Sequence, residues 1–212
     1  MSKIEQQSIA DQLYHQIKRK ILSGELKGGD PVLEEKIAQD FGVSRTPVRE
    51  AIKRLESYGL IRMRPRSHAE VIQFEGQDEA HKLALVRLRI EALVAELLAG
   101  TASEADCQAL DELVIACEDS LATRDVAEIF ERDSALHLEM ARRTGNQYLY
   151  EILERLDAKI QLYRISTCVT LDKISEDVKQ HRQILTAICQ RDSALAVALM
   201  ETHILGLSVE KV

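Results

Sequence analysis

The sequence predicts a mainly α-helical chain in two parts: an N-terminal module of three short helices closed by a β-hairpin (residues 1–75), and a C-terminal all-α bundle of about six helices (residues 76–212). Three observations carry this. Pro31, Pro47 and Pro65 all lie in the first 65 residues and none follows, which suits long uninterrupted helices in the remainder. Charge divides at the same place: a net −7 conceals 13 basic against 11 acidic residues up to position 75, and 15 against 24 beyond it. Apolar residues recur at helical spacing nearly throughout and give way to two short extended segments only at 61–64 and 69–72.

Composition narrows the functional classes. With 45% hydrophobic and 30% charged residues the chain can bury a core without staples, and the absence of Trp disfavours a sugar-stacking module. The apolar stretch 92–99 is broken by Glu96 and is far shorter than the ~20 residues of a membrane span. The first seven residues lack the basic-then-apolar layout of a secretion signal, so a cytoplasmic protein with reduced thiols is expected. Cys107, Cys117, Cys168 and Cys189 form no C-x-x-C pair and read as small apolar fillers.

In the N-terminal part, Ile9, Leu13, Ile17 and Ile21 mark a first helix that Ser23-Gly24 ends. Leu33, Ile37 and Phe41 mark a short second helix after the turn at 27–31, and Gly42 supplies a bend that glycine adopts cheaply. Ser44 is the expected N-cap of a third helix beginning near Arg45; because Pro47 has no N–H, the Ser44 oxygen is expected to accept from the Thr46 amide. Along that helix Val48, Ala51, Ile52 and Leu55 form a buried stripe, while Arg45, Arg49 and Lys53 at i, i+4 and i+8 form a cationic face. The two extended segments flank 65–68 as a wing bearing Arg64, Arg66 and His68. A lone Arg-x-x-x-Arg is more often a solvated helix face. Helix, glycine turn, capped helix and basic hairpin in succession is instead the winged helix-turn-helix plan, whose second helix can enter a DNA major groove.

The run Phe41-Gly-Val-Ser-Arg-Thr-Pro-Val-Arg-Glu-Ala-Ile-Lys-Arg-Leu-Glu-Ser-Tyr-Gly-Leu-Ile61 resembles the signature of GntR-superfamily winged-helix regulators. The resemblance implies that Arg45 and Arg49 reach base edges, guanine being the commonest arginine target, and that Ser44 and Thr46 sit on phosphates. Lys53, Arg64, Arg66 and His68 complete the expected DNA-binding set. Two residues depart from the pattern: Glu35 stands where some members carry Arg, and Ser67-His68 where the wing tip usually has glycine.

In the C-terminal part, helices are expected at about 78–99, 103–121, 124–143, 146–166, 170–190 and 192–208, with Asn146 as an N-cap. His137, His181 and His203 lie on three of them among apolar neighbours, and Asp133 sits one turn before His137 on the same face. Singly each histidine reads as an ordinary core residue; together with the carboxylate they form a plausible first shell for a borderline divalent ion such as Zn²⁺ or Ni²⁺. The segments Arg132-Asp-Ser-Ala-Leu-His137, Gln180-His-Arg-Gln-Ile-Leu-Thr-Ala-Ile188 and Glu201-Thr-His-Ile204 are similar to the metal-bearing FadR C-terminal domain, or FCD, in which the matching Asp and three His bind the metal. With both parts matched, the resemblance covers residues 9–208.

Arg87, in Leu85-Val-Arg-Leu-Arg-Ile-Glu91, matches an arginine that the family associates with carboxylate effectors; its alternative is a salt bridge with Glu91 one turn on. Arg164 is a second candidate for the effector. The expectation is therefore a transcription regulator, most simply a repressor, that binds a double-stranded operator with an inverted repeat as a homodimer and responds to a small carboxylate beside a divalent transition metal. A direct metal sensor is the alternative. A metal-dependent enzyme is disfavoured because H-E-x-x-H is absent, and Ser134, Val178 and Met200 stand where Glu-x-x-His would need Glu.

Overall fold

The structure is a computed structural model and describes residues 8–64, 68–73, 77–166 and 170–208, without the side chains of 77, 78, 80, 165, 166, 207 and 208. Two compact units divide the chain, 1–74 and 75–212.

The first unit contains α1 (Ile9–Leu22), β1 (Pro31–Val32), α2 (Glu34–Phe41), α3 (Arg45–Ser57), β2 (Ile61–Met63) and β3 (Ala69–Val71). A capping box opens α1, in which Ser8 Oγ accepts from the Asp11 amide and the Asp11 carboxylate accepts in return from the Ser8 amide. Gly42 ends α2 at φ +65°, in the left-handed region, where a side chain would be strained. Val48, Ala51, Ile52 and Leu55 of α3 are buried as the apolar stripe required, α3 packs on α1 and β2, and Ile17, Ile21, Leu60, Ile61 and Val71 are buried in the same unit. The sheet is antiparallel in the order β1-β3-β2, with the Arg64 amide donating to the His68 carbonyl at 3.0 Å to close the wing. Strand β1 was not expected from the sequence; its two residues pair with Glu70 and Ala69.

Among its described residues the second unit has six α-helices, α4 (Gln77–Thr101), α5 (Glu104–Ser120), α6 (Val126–Arg143), α7 (Gln147–Ser166), α8 (Leu171–Cys189) and α9 (Ser193–Ser208), with a 3₁₀ turn at Leu121–Thr123. Each falls within a few residues of its expected span. The long α4 packs along α9 and also meets α6, α7 and α8. Leu98, Leu110, Phe130, Leu136, Leu153 and Ile188 lie in the apolar centre. Among the described residues no helix is long and apolar enough to cross a membrane.

Two expectations are corrected. Ser44 occupies the N-cap of α3 with extended backbone, yet its side chain makes no capping bond, so the Thr46 amide is not satisfied by it. Cys107 and Cys189 are not separate thiols: they form a disulfide joining α5 to α8, with Cα atoms 6.0 Å apart. Cys117 is a buried free thiol whose pKa burial pushes up to about 12, as suits an inert filler. Cys168 and Arg66 lie outside the described residues.

Candidate functional site

Helix α3 presents Ser44, Arg45, Thr46, Arg49 and Lys53 to solvent on the side opposite its buried stripe. The two arginines are not bare. Arg45 Nη2 donates to Glu35 Oε1 at 2.7 Å, and Arg49 donates through Nε and Nη2 to Glu34 at 3.3 and 3.0 Å. The two acidic residues that begin α2 thus hold the outer ends of both recognition-helix arginines, across the glycine turn. Arg45, Arg49 and Glu35 remain largely solvated and Glu34 partly so, and these pairs orient more than they stabilise.

Not every basic residue of the patch joins this face. Arg54 turns inward, pairing with Asp11 of α1 at 2.6 Å and lying 4.1 Å over the Tyr14 ring. On the wing, Arg62 and Arg64 share Glu70 at 2.6 Å each, and hydrogen bonds from both hold its carboxyl down at about 2. His68 is half-buried and, with Leu33, Glu35, Gln39, Ile52 and Met63, lines a groove between α2 and the wing.

In the bundle, α6 carries Asp133 and His137 one turn apart, α8 carries His181 and α9 carries His203, each at most 4% exposed. Their ligand atoms all lie within 4.8 Å of one another. The three Nε2 atoms form a triangle with sides of 3.1, 3.3 and 3.3 Å, and Asp133 Oδ1 is 3.3 Å from Nε2 of His181 and 3.9 Å from that of His137. Donors ~2.0–2.1 Å from one tetrahedral centre are about 3.3–3.4 Å apart, so the three imidazoles and the Asp133–His181 edge suit a single ion of zinc size, with Asp133 standing wider from His137. Three imidazoles and one carboxylate also suit the borderline metals chemically.

Charge states agree with this fit. Burial pushes Asp133 up, but Arg164 and then the histidines outweigh it and hold the carboxyl well below its usual range. For His181 burial is the larger influence, only partly opposed by Asp133, and its pKa is lowered. Ionised carboxylate and neutral imidazole are the forms that bind a metal.

Around the four residues stands a second group that sequence reasoning resolved only in part. Arg87 and Arg164 are both buried. Arg87 Nε donates to Glu91 Oε1 at 2.5 Å, the salt bridge offered as its alternative reading, while Glu91 Oε2 lies close beside His137 Nδ1. Burial raises Glu91, but Arg87 and His137 outweigh it and bring the carboxyl to about 2. Arg164 forks onto Asp133 and reaches Asp177 Oδ2 at 3.0 Å, with its guanidinium 4.1 Å over the Phe130 ring. Asp177 Oδ1 lies 3.0 Å from His203 Nδ1, which Gln180 Oε1 also approaches at 3.2 Å. A signal for Asp177 existed, since it precedes His181 by four residues just as Asp133 precedes His137. Spacing alone would have paired it with the wrong histidine.

Asn146 caps α7 as expected, accepting from the amides of Tyr148 and Leu149 at 3.1 and 3.4 Å.

Residues 82–206 match the FCD domain, and residues 9–71 match the bacterial regulatory proteins of the gntR family. The chain is 27% identical over 194 residues to the uncharacterized HTH-type transcriptional regulator YdhC of Bacillus subtilis (strain 168), covering 91% of this chain and 86% of that one. It is 26% identical over 205 residues to the HTH-type transcriptional repressor RspR of Escherichia coli (strain K12), covering 95% and 88%. The solved structure of E. coli McbR/YncC superposes with a TM-score of 0.79 at 21% identity, covering 94% of each chain, which shows a common fold.

Proposed function

The chain belongs to the GntR family of bacterial regulatory proteins and carries an FCD domain, and from that premise we propose that its bundle holds one divalent transition ion and a small carboxylate effector that together adjust operator binding. As a family member it is a DNA-binding transcription regulator and not an enzyme. In this reading it acts in the cytoplasm as a repressor. Arg45 and Arg49 read base edges, Ser44 and Thr46 contact phosphates, and Lys53, Arg64, Arg66 and His68 add contacts along the backbone.

Asp133, His137, His181 and His203 would hold the ion, Zn²⁺ or Ni²⁺. When bound, the ion would supply a fixed positive charge and, on expanding its coordination beyond the four protein donors, a position for a carboxylate oxygen. Arg87 and Arg164 supply forked donors to the same acid. Each already carries a carboxylate of the chain, so an incoming acid exchanges one partner for another instead of meeting a bare cation. That exchange provides the differential interaction without which a ligand shifts no equilibrium.

A homodimer is part of the proposal, because one short helix reads too few bases for a specific site whereas a two-fold pair reads an inverted repeat. The outer face of α4 supports it: Val86 and Leu93, seven residues apart, are 50% and 40% exposed.

The observation that carries the proposal is the convergence in a buried site of three Nε2 atoms 3.1 to 3.3 Å apart with one carboxylate beside them. Elemental analysis of untagged protein is expected to find about one transition ion per chain in the wild type and none in an Asp133→Ala, His181→Ala double variant. Among C3 to C6 carboxylic acids, some are expected to raise the melting temperature of the metal-bearing protein alone. A wild type that carries no ion and gains no stability from Zn²⁺ or Ni²⁺ would remove the metal from the account.

A further inference from the structure

We propose that Glu91 and Asp177 are positioning residues of the metal centre: each faces Nδ1 of one imidazole, His137 and His203 respectively, and thereby keeps the Nε2 lone pair of that ring turned toward the ion. The inference rests on the metal reading above and extends it to residues that coordinate nothing.

A neutral imidazole carries one ring proton, and it can donate electrons to a metal through Nε2 only if that proton sits on Nδ1. A carboxylate beside Nδ1 selects this tautomer. In His137 and His203 the two Nε2 atoms are 3.1 Å apart, so with both protons on the Nδ1 side the lone pairs confront one another, and a cation between them relieves the conflict. Arginines hold both carboxylates in place, Arg87 on Glu91 Oε1 and Arg164 on Asp177 Oδ2, so that the second oxygen of each is left toward its histidine. Two parallel chains result, Arg87–Glu91–His137 and Arg164–Asp177–His203.

His181 provides the internal contrast. Among the described residues no carboxylate lies within ion-pair distance of its Nδ1, whereas Glu91 and Asp177 do so for His137 and His203; the contrast is one of charged neighbours, since Nδ1 of His137, like that of His181, makes no hydrogen bond of good geometry. Orientation through Nδ1 is thus a feature of two of the three rings. Gln180 Oε1 is the hydrogen-bond partner of His203 Nδ1 and, being an acceptor, selects the same tautomer; Asp177, 3.0 Å from that nitrogen, adds the negative charge that the amide lacks.

The test compares Glu91→Gln and Asp177→Asn with the wild type and with Asp157→Asn. Asp157 is another buried carboxylate; it accepts from Gln161, and among the described residues no ion pair or hydrogen bond joins it to the three histidines. Zn²⁺ affinity is read by competition with a chromophoric chelator, the ligand set by the d–d absorption of the Co²⁺ form, and the fold by melting of metal-free protein. Glu91→Gln and Asp177→Asn are expected to lose affinity by about 10–100-fold each while keeping a Co²⁺ spectrum of wild-type shape at saturation, and Asp157→Asn is expected to bind as the wild type does. Glu91→Asp and Asp177→Glu, which keep the charge, are expected to recover part of the loss and cover the case in which an amide variant does not fold. Wild-type affinity in the two amide variants would overturn the inference alone, as would an equal loss in Asp157→Asn. A wild type that binds neither Zn²⁺ nor Co²⁺ would overturn the metal reading itself and this inference with it.

Discussion

His181 is buried without a partner for Nδ1, and its lowered pKa makes a prediction about acid. In the unfolded chain a histidine takes up a proton near pH ~6.5, whereas in the fold burial keeps this one neutral to lower pH. Between those two values the unfolded state binds more protons, so stability is full above ~6.5 and falls as pH drops below it. Asp133 acts in a lower window, because a depressed carboxyl contributes stability above ~3.9 and loses it only further down. In urea, metal-free wild type is therefore expected to have a lower midpoint at pH 5.5 than at pH 7.5, and His181→Gln to show a smaller drop. Equal drops in both proteins would mean that His181 does not carry the effect. The candidate ligands themselves were legible because Asp and His types are rare on apolar helix stripes. Their supporting carboxylates were less so, since which histidine Asp177 faces depends on how α8 meets α9 and not on spacing within α8.

At the scale of elements, the bundle helices were legible to within a few residues because apolar recurrence ran unbroken between recognisable caps and no proline intervened. Strand β1 was not, because two residues cannot display an alternation; pairing with β3 decides it. The Cys107–Cys189 disulfide was hidden for a similar reason, as residues 82 apart in sequence meet only where α5 packs on α8. Helix α3 yields a prediction that separates its two kinds of cation. Arg49→Ala is expected to weaken operator binding by about 1–3 kcal/mol and to relax preference at one base pair, whereas Lys53→Ala should weaken all sequences alike and reduce the salt slope by about one. Fluorescence anisotropy across salt concentrations, with site selection from a randomised operator, checks both. An unchanged selected site for Arg49→Ala would remove that residue from base reading.

For the whole molecule, the charge split that first divided the sequence acquires a physical meaning. Arg45, Arg49 and Lys53 of the first unit are solvated on α3, while in the second unit Glu91, Asp133 and Asp177 are buried against arginines and beside histidines. Charged residues buried in such numbers are costly unless each is paired, and Glu91, Asp133, Asp177, Arg87 and Arg164 are all paired. A site of this kind is suited to sensing, because a ligand that takes one partner disturbs the others.

The central claim is that the state of the buried site and the affinity for DNA are linked, and operator affinity in defined ligand states tests it most directly. With an operator obtained by selection, the dissociation constant is measured at one fixed salt concentration for metal-free protein, for the Zn²⁺ form, and for the Zn²⁺ form with whichever carboxylic acid raises its melting temperature. A change of about fivefold or more is expected between the Zn²⁺ form with and without the acid, absent from the Asp133→Ala, His181→Ala variant. The same dissociation constant in every state, with the acid demonstrably bound, would contradict it.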